Sequence, residues 1–565
     1  MKSGFGIARP IAAAALSGAF VMSGGARAEV ADFVETLVNR APTLTPSPSA
    51  SPTPSAGDMW GAFVTSGDVR AEAAEFVEAP ANAAPKPAPS PAASPTPSAA
   101  NDSDFIEQPV DTAAAPPGAA APGLLDPFAF LKNVQRNAAF LGDMWGLRPF
   151  LAKYGTTLQI QEQSEILGNL TGGTQRTAVY EGLTTATLQT DTQRAFGLNG
   201  GLFNASALWV HGGNLSTQAL QTLQTASGIE ADRSVRLWEL WYQQKFFNDQ
   251  VDIKVGQQSL DQEFMVTQNG SYFVNTMFGW PMLPSADMPG GGPAYPLSDL
   301  GVRARVHIGD QYTLLVGLFN GSPARVNVGD PQRNDPNGVS FPLGQGALAI
   351  AELQYAYPGP NTLVKAGEAD PLARTYKLGF WYDSDGFSDL ATDNTGQSLN
   401  SPLSTGVPRA HSGDYAFYAV ADQMIWRDPK ESDRNISFFL RPMYTPLEDR
   451  NLIDFSMNAG LTMHEPIRGR DDDTAGLGMG YTHVSAGAST LDKSFAYYNP
   501  GTFWPTRSGE TFAEAFYQYQ ATAWLQIQPD VQYVFDPGGG LVNPNSPTKK
   551  IGDELVVGVR ANAQF

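Results

Sequence analysis

The sequence predicts an all-β fold, a sixteen-stranded antiparallel transmembrane β-barrel of the outer membrane, preceded by a disordered Pro/Ala/Ser-rich segment and a short helix. Three observations carry this reading. From Tyr154 onward, segment after segment alternates between one apolar and one polar face. Beyond the first 28 residues no run of 18 apolar residues occurs, so no apolar helix is available to span a bilayer. The connections between the alternating segments are themselves alternately short and long, which is how an outer-membrane barrel distributes its turns and loops.

The chain begins MKSGFGIARPIAAAALSGAFVMSGGARA. Lys2 and Arg9 precede an apolar stretch from about Ile11 to Val21, and Ala26-Arg27-Ala28 supplies the small residues a signal peptidase needs, so residues 1–28 read as a secretory signal peptide. Residues 29–123 change to Ala, Pro, Ser and Thr and repeat themselves: SPTPSA occurs at Ser51 and at Ser94, and ADFVE, AEFVE and SDFIE recur around Phe33, Phe76 and Phe105. Such a composition cannot bury enough apolar surface to offset its ordering entropy and predicts a disordered, partly polyproline linker. Residues 124–155 lead into the barrel. Asp126 can cap a helix, Pro127 suits its first position and Gly142 its end, with Phe130, Leu131, Val134, Ala138 and Leu141 on one stripe.

Residues 156–565 form the predicted barrel. In Asn451 to His464, Ile453, Phe455, Met457, Ala459, Leu461 and Met463 alternate with polar residues or glycine. In GVRARVHI, Val302, Ala304, Val306 and Ile308 oppose Arg303, Arg305 and His307. Marking every such run gives sixteen strands, centred near residues 162, 185, 206, 240, 253, 305, 315, 351, 378, 420, 438, 458, 479, 516, 530 and 558. Turns after even-numbered strands tend to be short, as at Phe247-Asn248-Asp249 and Gly309-Asp310; those after odd-numbered strands are often long, as from Gln257 to Leu300, Asp383 to Gly413 and Val484 to Glu510. An even count leaves both ends of the barrel, and the linker, in the periplasm. Since hydrocarbon offers no hydrogen bonds, the sheet must close on itself, apolar faces toward lipid and polar faces toward water. Phe565, Tyr382, Tyr517 and Tyr519 are expected in the interfacial aromatic girdle.

Composition excludes several functions. Lys and Arg number 36 against 56 Asp and Glu, a net charge of −20, which argues against nucleic-acid binding. The absence of cysteine removes disulfides, thiolate metal sites and thiol catalysis. Of the five histidines only His483-Val484-Ser485 has a spacing resembling that of outer-membrane phospholipase, and the sequence offers no clear residue to orient the imidazole or bind an oxyanion, so no enzyme and no catalytic residue is expected. Asp471-Asp472-Asp473 lacks the spaced ligands of a calcium loop and reads as a solvated turn; no metal or cofactor is expected.

The blocks GDMWGLRPFLAKYG, GQQSLDQEF, FVNTMFGWP, AYPLSDLGVRAR, RDDDTAGLGMGY, LQIQPDVQYVFDPGGG and GDELVVGVRANAQF, in that order, resemble the OprB family of carbohydrate-selective porins over roughly Gly142 to Phe565. The resemblance implies a sixteen-stranded barrel through which monosaccharides and related small carbohydrates diffuse, in contact with outer-membrane lipid. It does not account for the repetitive linker, which could make periplasmic contacts. A homotrimer and a monomer are both compatible with these strands.

Selectivity in such a pore comes from width, charge and hydrogen-bonding groups along the path. Strand parity points Glu239, Trp241, Gln243 and Lys245 inward and Trp238, Leu240 and Tyr242 toward lipid, with Arg236 on the lipid parity despite its charge. Lys377, Trp381 and Asp383 also face in. The predicted lining is Arg303, Arg305 and Lys254 opposite Asp252, Glu239 and Asp454, with Trp241, Trp381 and Asp383 beside the path. The stretch from Gln257 to Leu300, rich in Phe, Met, Trp, Pro and Gly, is too apolar to stand in water and is expected to fold into the barrel and narrow it, with Gln258, Asp261, Glu263, Asn275 and Trp280 contributing; a cap over the mouth is the alternative. A general or anion-selective pore, supported by Arg303 and Arg305, is the rival function, ahead of a surface adhesin or hydrolase.

Overall fold

The computed structural model describes residues 138–326, 329–359, 362, 371–429 and 434–565. The predicted signal peptide, the linker and most of the predicted short helix therefore lie outside the described residues. The helix's described end, residues 138–141, forms bends and turns, and a short helix follows instead at Leu147–Ala152. Backbone at positive φ at Gly142, Met144, Trp145 and Gly146 makes that stretch a chain of tight turns, which the apolar stripe did not reveal.

All sixteen predicted strands are present. They are β1 (Thr156–Thr171), β2 (Ala178–Asp191), β3 (Gly201–Gly212), β4 (Ser234–Phe246), β5 (Val251–Gln258), β6 (Asp299–Ile308), β7 (Tyr312–Asn320) and β8 (Ala347–Tyr357). Then come β9 (Arg374–Asp393), β10 (Pro408–Arg427), β11 (Asn435–Tyr444), β12 (Ile453–His464), β13 (Thr474–Val484), β14 (Gly509–Thr522) and β15 (Leu525–Phe535). A small separate hairpin, β16 (Val542–Asn543) with β17 (Ser546–Lys550), precedes the closing strand β18 (Glu554–Gln564). Each barrel strand pairs antiparallel with its neighbours, and β1 pairs with β18 from Gln161 opposite Gln564 to Thr171 opposite Leu555, so the barrel has no edge. Among the described residues no helix is long and apolar enough to cross a membrane.

The two faces are those the alternation predicts. In β6, Val302 and Ile308 are exposed outside while Arg303 and Arg305 are buried inside; in β15, Ile527, Val531, Tyr533 and Phe535 face out while Gln528, Asp530 and Gln532 face in. Tyr382 and Tyr519 are exposed on the outer face, and Tyr312, Tyr355 and Tyr376 stand in a row across β7, β8 and β9 with ring centres 5.2 and 6.2 Å apart. Phe565 lies against Phe140 at 5.7 Å, and Phe140 against Trp524 at 4.8 Å. The Arg148 guanidinium binds the Phe565 and Gly142 carbonyls, tying the lead-in to the seam.

Two expectations need correction. The long connection read from Asp383 to Gly413 is mostly strand: β9 and β10 keep pairing past the apolar band, and only residues 394–407 are loop. Backbone pairing there needs no lipid-facing side chains, so hydropathy could not signal it. Trp238 faces inward, not to lipid. Opposite Ser206 and Ala207, the β3–β4 ladder jumps from Glu239 to Leu237, and this extra residue reverses the parity of β4 above it. The same bulge turns Arg236 into the interior, where its guanidinium meets Ser234 Oγ at 3.0 Å and the Pro296 carbonyl at 3.3 Å.

Candidate functional site: a lumen crossed by its own loop

Residues 259–298, between β5 and β6, run inside the barrel and are fastened to inward-facing side chains around much of its wall. Asp422 on β10 accepts from Thr267 Oγ1 at 2.7 Å and from the backbone of Gln268 and Asn269. Glu352 on β8 accepts the Met265 N–H at 2.8 Å. Glu514 on β14 accepts the Val274 and Asn275 N–H groups at 2.6 and 3.0 Å, and Arg560 on β18 reaches the carbonyls of Phe273 and Val274. Irregular backbone deep in a barrel needs such partners, since few of its polar groups can bond to water.

Apolar packing completes the anchorage. Phe273 and Phe278, from the loop, cluster with Phe439, Phe512 and Phe516 on the inner faces of β11 and β14, with ring centres 4.2 to 5.6 Å apart. The inner face of β13 makes room for them with Gly476, Gly478 and Gly480. A Cβ on Gly478 would stand 2.6 Å from the Phe273 ring and 2.7 Å from that of Phe278.

A second inward segment, residues 213–233 after β3, was not anticipated. Its Leu223 and Gln224 N–H groups bond to Glu510 on β14 at 2.8 and 2.7 Å, and its Ala226 carbonyl accepts from Gln532 on β15 at 2.8 Å. It meets the longer loop where Gly228 N–H donates to the Val274 carbonyl and Thr276 N–H to that of Thr225. Its mixed composition, QTLQTASGIEADR, resembles that of ordinary solvated loops, which is why sequence gave no warning.

Opposite the aromatic cluster, the inner wall of β4, β5 and β6 gathers the predicted charges. Lys254 pairs in register with Arg303, and Asp252 with Arg305. Arg303 binds Asp252, donates to Gln243 Oε1 at 3.0 Å and meets Glu263 of the loop at 2.7 Å. Arg305 approaches Glu263 at 3.4 Å and Asp252 at 3.7 Å. Lys254 also binds Glu263, and its Nζ sits 4.1 Å over the centre of the Trp241 ring. Glu239 completes the wall at the root of the loop, accepting the Ser259 N–H at 3.1 Å. Burial alone would push the Glu263 carboxyl up, but Lys254, Arg303 and Arg305 outweigh it and hold it well below the usual carboxylate value of 4.5.

The remaining predicted residues, all buried except the half-buried Asp261, take no part in this charge cluster. Trp381 packs in the apolar cluster around the loop, with Lys377 near it donating to the Val266 carbonyl at 2.8 Å. Asp383 accepts the Asp385 N–H at 2.8 Å, and Asp454 meets His483 Nδ1 at 2.6 Å. At the end of β5, Gln258 donates to the Gly301 carbonyl at 3.0 Å, and within the loop Asp261 accepts from Ser259 Oγ and the Tyr295 N–H. Asn275 caps the short helix Thr276–Gly279 and donates to Gln532 at 3.1 Å, while Trp280 bonds to the Gly291 carbonyl at 2.9 Å.

The histidine set aside earlier thus has an acidic partner, Asp454, that spacing could not reveal; Ser485 in turn caps the helix Ala486–Tyr498 by accepting the Ala488 N–H at 3.2 Å. In the β12–β13 turn, Asp473 bonds to Arg470 and to the Tyr517 hydroxyl.

Comparison with known proteins gives a consistent likeness. Residues 175–565 match the family described as carbohydrate-selective porin, OprB family. Porin B of Pseudomonas aeruginosa is 23% identical over 455 residues, covering 75% of this chain and 91% of that protein. The putative porin QuiX of Acinetobacter baylyi is 20% identical over 444 residues, covering 75% and 92%. The high-pH structure of Pseudomonas putida OprB shares the fold at a TM-score of 0.65 and 22% identity, covering 78% of this chain and all of that one.

Proposed function

The chain belongs to the carbohydrate-selective porin family, OprB, and from that membership we propose that it passes monosaccharides and similar small carbohydrates by diffusion through a lumen narrowed by residues 259–298. A closed barrel of this family resides in the outer membrane, apolar faces in lipid.

The single observation that carries the sugar path is the charge balance of the wall beside Trp241. Three cations, Lys254, Arg303 and Arg305, are met by two carboxylates, Asp252 and Glu263, with Glu239 beside them on the Ser259 N–H. An uncompensated arginine pair would concentrate anions. A neutralised one instead offers fixed donors and acceptors to hydroxyls, and the aromatic ring offers a surface to C–H faces. This supports a neutral, hydroxyl-rich solute over the anion-selective alternative.

The rim bearing the short turns and the lead-in to β1 is read as periplasmic, with residues 1–28 as a signal peptide and 29–123 as a linker on that side. Liposome swelling tests the proposal. Arabinose and glucose should enter much faster than charged solutes of equal size, and Trp241→Ala should slow the sugars. Equal rates for neutral and charged solutes would favour a general pore, and no swelling would reject a channel.

A further inference from the structure

At the rim bearing the long loops, three side chains from three separate segments converge. Asp389 on β9, His411 on β10 and Asp449 in the β11–β12 loop each bring one ligand atom within 4.8 Å of the others. His411 Nε2 lies 3.0 Å from Asp389 Oδ2 and 3.6 Å from Asp449 Oδ2.

The local backbone prepares this arrangement. Ala410 pairs with Ser388 but Pro408 with Asp393, so residues 389–392 bulge from the ladder. Within the bulge, Asp389 Oδ1 accepts the Ala391 and Thr392 N–H groups at 2.9 and 2.8 Å, which fixes the carboxylate with Oδ2 on the imidazole. The Asp449 carbonyl accepts the Leu390 N–H at 2.8 Å, pinning the neighbouring loop to the same bulge. Arg450 binds mainly Asp449 Oδ1, at 2.9 Å, and its contact with Oδ2 is longer, 3.3 Å.

We infer that Asp389, His411 and Asp449 form a binding site for a divalent transition-metal cation, with zinc the best fit. A tetrahedral zinc ion with bonds of about 2.0 Å sets its ligand atoms roughly 3.3 Å apart; the two separations from His411 bracket that spacing, and the two carboxylate oxygens lie within 4.8 Å of each other. A simple ion pair explains less. Nε2 carries at most one hydrogen, so it can serve only one of the two carboxylate oxygens it faces, whereas a cation serves all three ligand atoms. Imidazole with carboxylates suits zinc or copper, while calcium and magnesium call for oxygen ligands alone. Asp389's Oδ1 bonds supply the outer-shell orientation that metal ligands ordinarily have. The half-exposed Asp449 leaves the fourth position open to water. Bound metal would rivet the extended β9–β10 hairpin to the loop beside it.

The test uses the full chain without a histidine tag, in detergent and stripped with EDTA. Titration with Zn²⁺ by calorimetry, and with Co²⁺ by visible absorption, should show one equivalent bound, and Zn²⁺ should raise the unfolding temperature. His411→Gln keeps an amide donor toward Asp389 and should preserve sugar swelling. It should nevertheless weaken Zn²⁺ by at least about 100-fold, since even outer-shell partners are worth about 10–100-fold. Equal Zn²⁺ binding by both proteins, or displacement of Co²⁺ by an equal concentration of Ca²⁺, would overturn the assignment.

Discussion

Arg441, on the inner face of β11, donates through Nη2 to the carbonyl of Phe278 at 2.9 Å, so a strand residue grips the backbone of the infolded loop directly. The same guanidinium also holds the carbonyls of Met265, Met277 and Gly279, and Asn458 Oδ1 on β12. Residues a dozen apart in the loop are thereby clamped by one fully buried side chain. Each buried carbonyl left without a donor costs about 1–3 kcal/mol. Arg441→Met should therefore lower the unfolding temperature and loosen the loop, giving faster and less size-selective liposome swelling. Unchanged swelling would mean that the loop is held mainly by its other anchors.

Glu263 is the loop's only direct ionic link to the wall of β4 to β6, among the described residues. It touches Lys254, Arg303 and Arg305 together. Glu263→Gln keeps the shape, removes one carboxylate and leaves the wall with a net positive charge. The expected result is a shift of the reversal potential in a salt gradient toward anion selectivity, with sugar uptake reduced less than anion uptake rises. A reversal potential identical to that of the unmodified pore would place the selectivity filter elsewhere.

The pH response of this cluster follows from the same residue. Burial raises the Glu263 carboxyl, but the three cations lower it further, to well below 4.5. A group depressed in the folded state contributes fully above its ordinary value, and the contribution fades only as pH falls through the depressed one. The Glu263 carboxylate should stay ionised from neutral pH to below 4.5, so the difference in ion selectivity between the unmodified pore and Glu263→Gln should hold constant over that range and shrink only below it. A transition centred near neutral pH that survives in Glu263→Gln would point to another titrating group.

The barrel was legible because lipid and water impose opposite demands on alternate residues, and the strands obey them along most of their length. Where the chain departed from strict alternation, legibility ended. One extra residue in β4 reversed the direction of Trp238 and Arg236, and a bulge of that kind has no signature in hydropathy. Arg303, Arg305, Lys254 and Asp252 were readable from parity alone because they sit on regular strands. Their link to Glu263 and the clamp at Arg441 depend on the path of the loop inside the barrel, and the pairing of His483 with Asp454 on the register of β12 against β13, none of which alternation encodes. The inward path of residues 213–233 was missed for a related reason: its polar backbone is satisfied by Glu510 and Gln532, not by any pattern of its own.

The glycines of β13 make a final prediction about how the loop is seated. Gly476, Gly478 and Gly480 occupy inward positions of a strand, where a bare backbone ordinarily weakens the sheet. Here they admit the rings of Phe273, Phe278, Phe512 and Phe516, none of which could approach a side chain so closely. Gly478→Val would place its Cβ within 3 Å of both loop phenylalanines, where two packed rings leave little freedom to shift. Overpacking of this kind costs about 1–3 kcal/mol. Because the outer face and the ladder of β13 are untouched, the barrel should still assemble and stay resistant to detergent, while the loop is displaced toward the wall of β4 to β6. That displacement should narrow the path, so glucose should swell liposomes more slowly than with the unmodified protein. If swelling instead stays the same and the unfolding temperature does not fall, the aromatic cluster is not what fixes the loop's position.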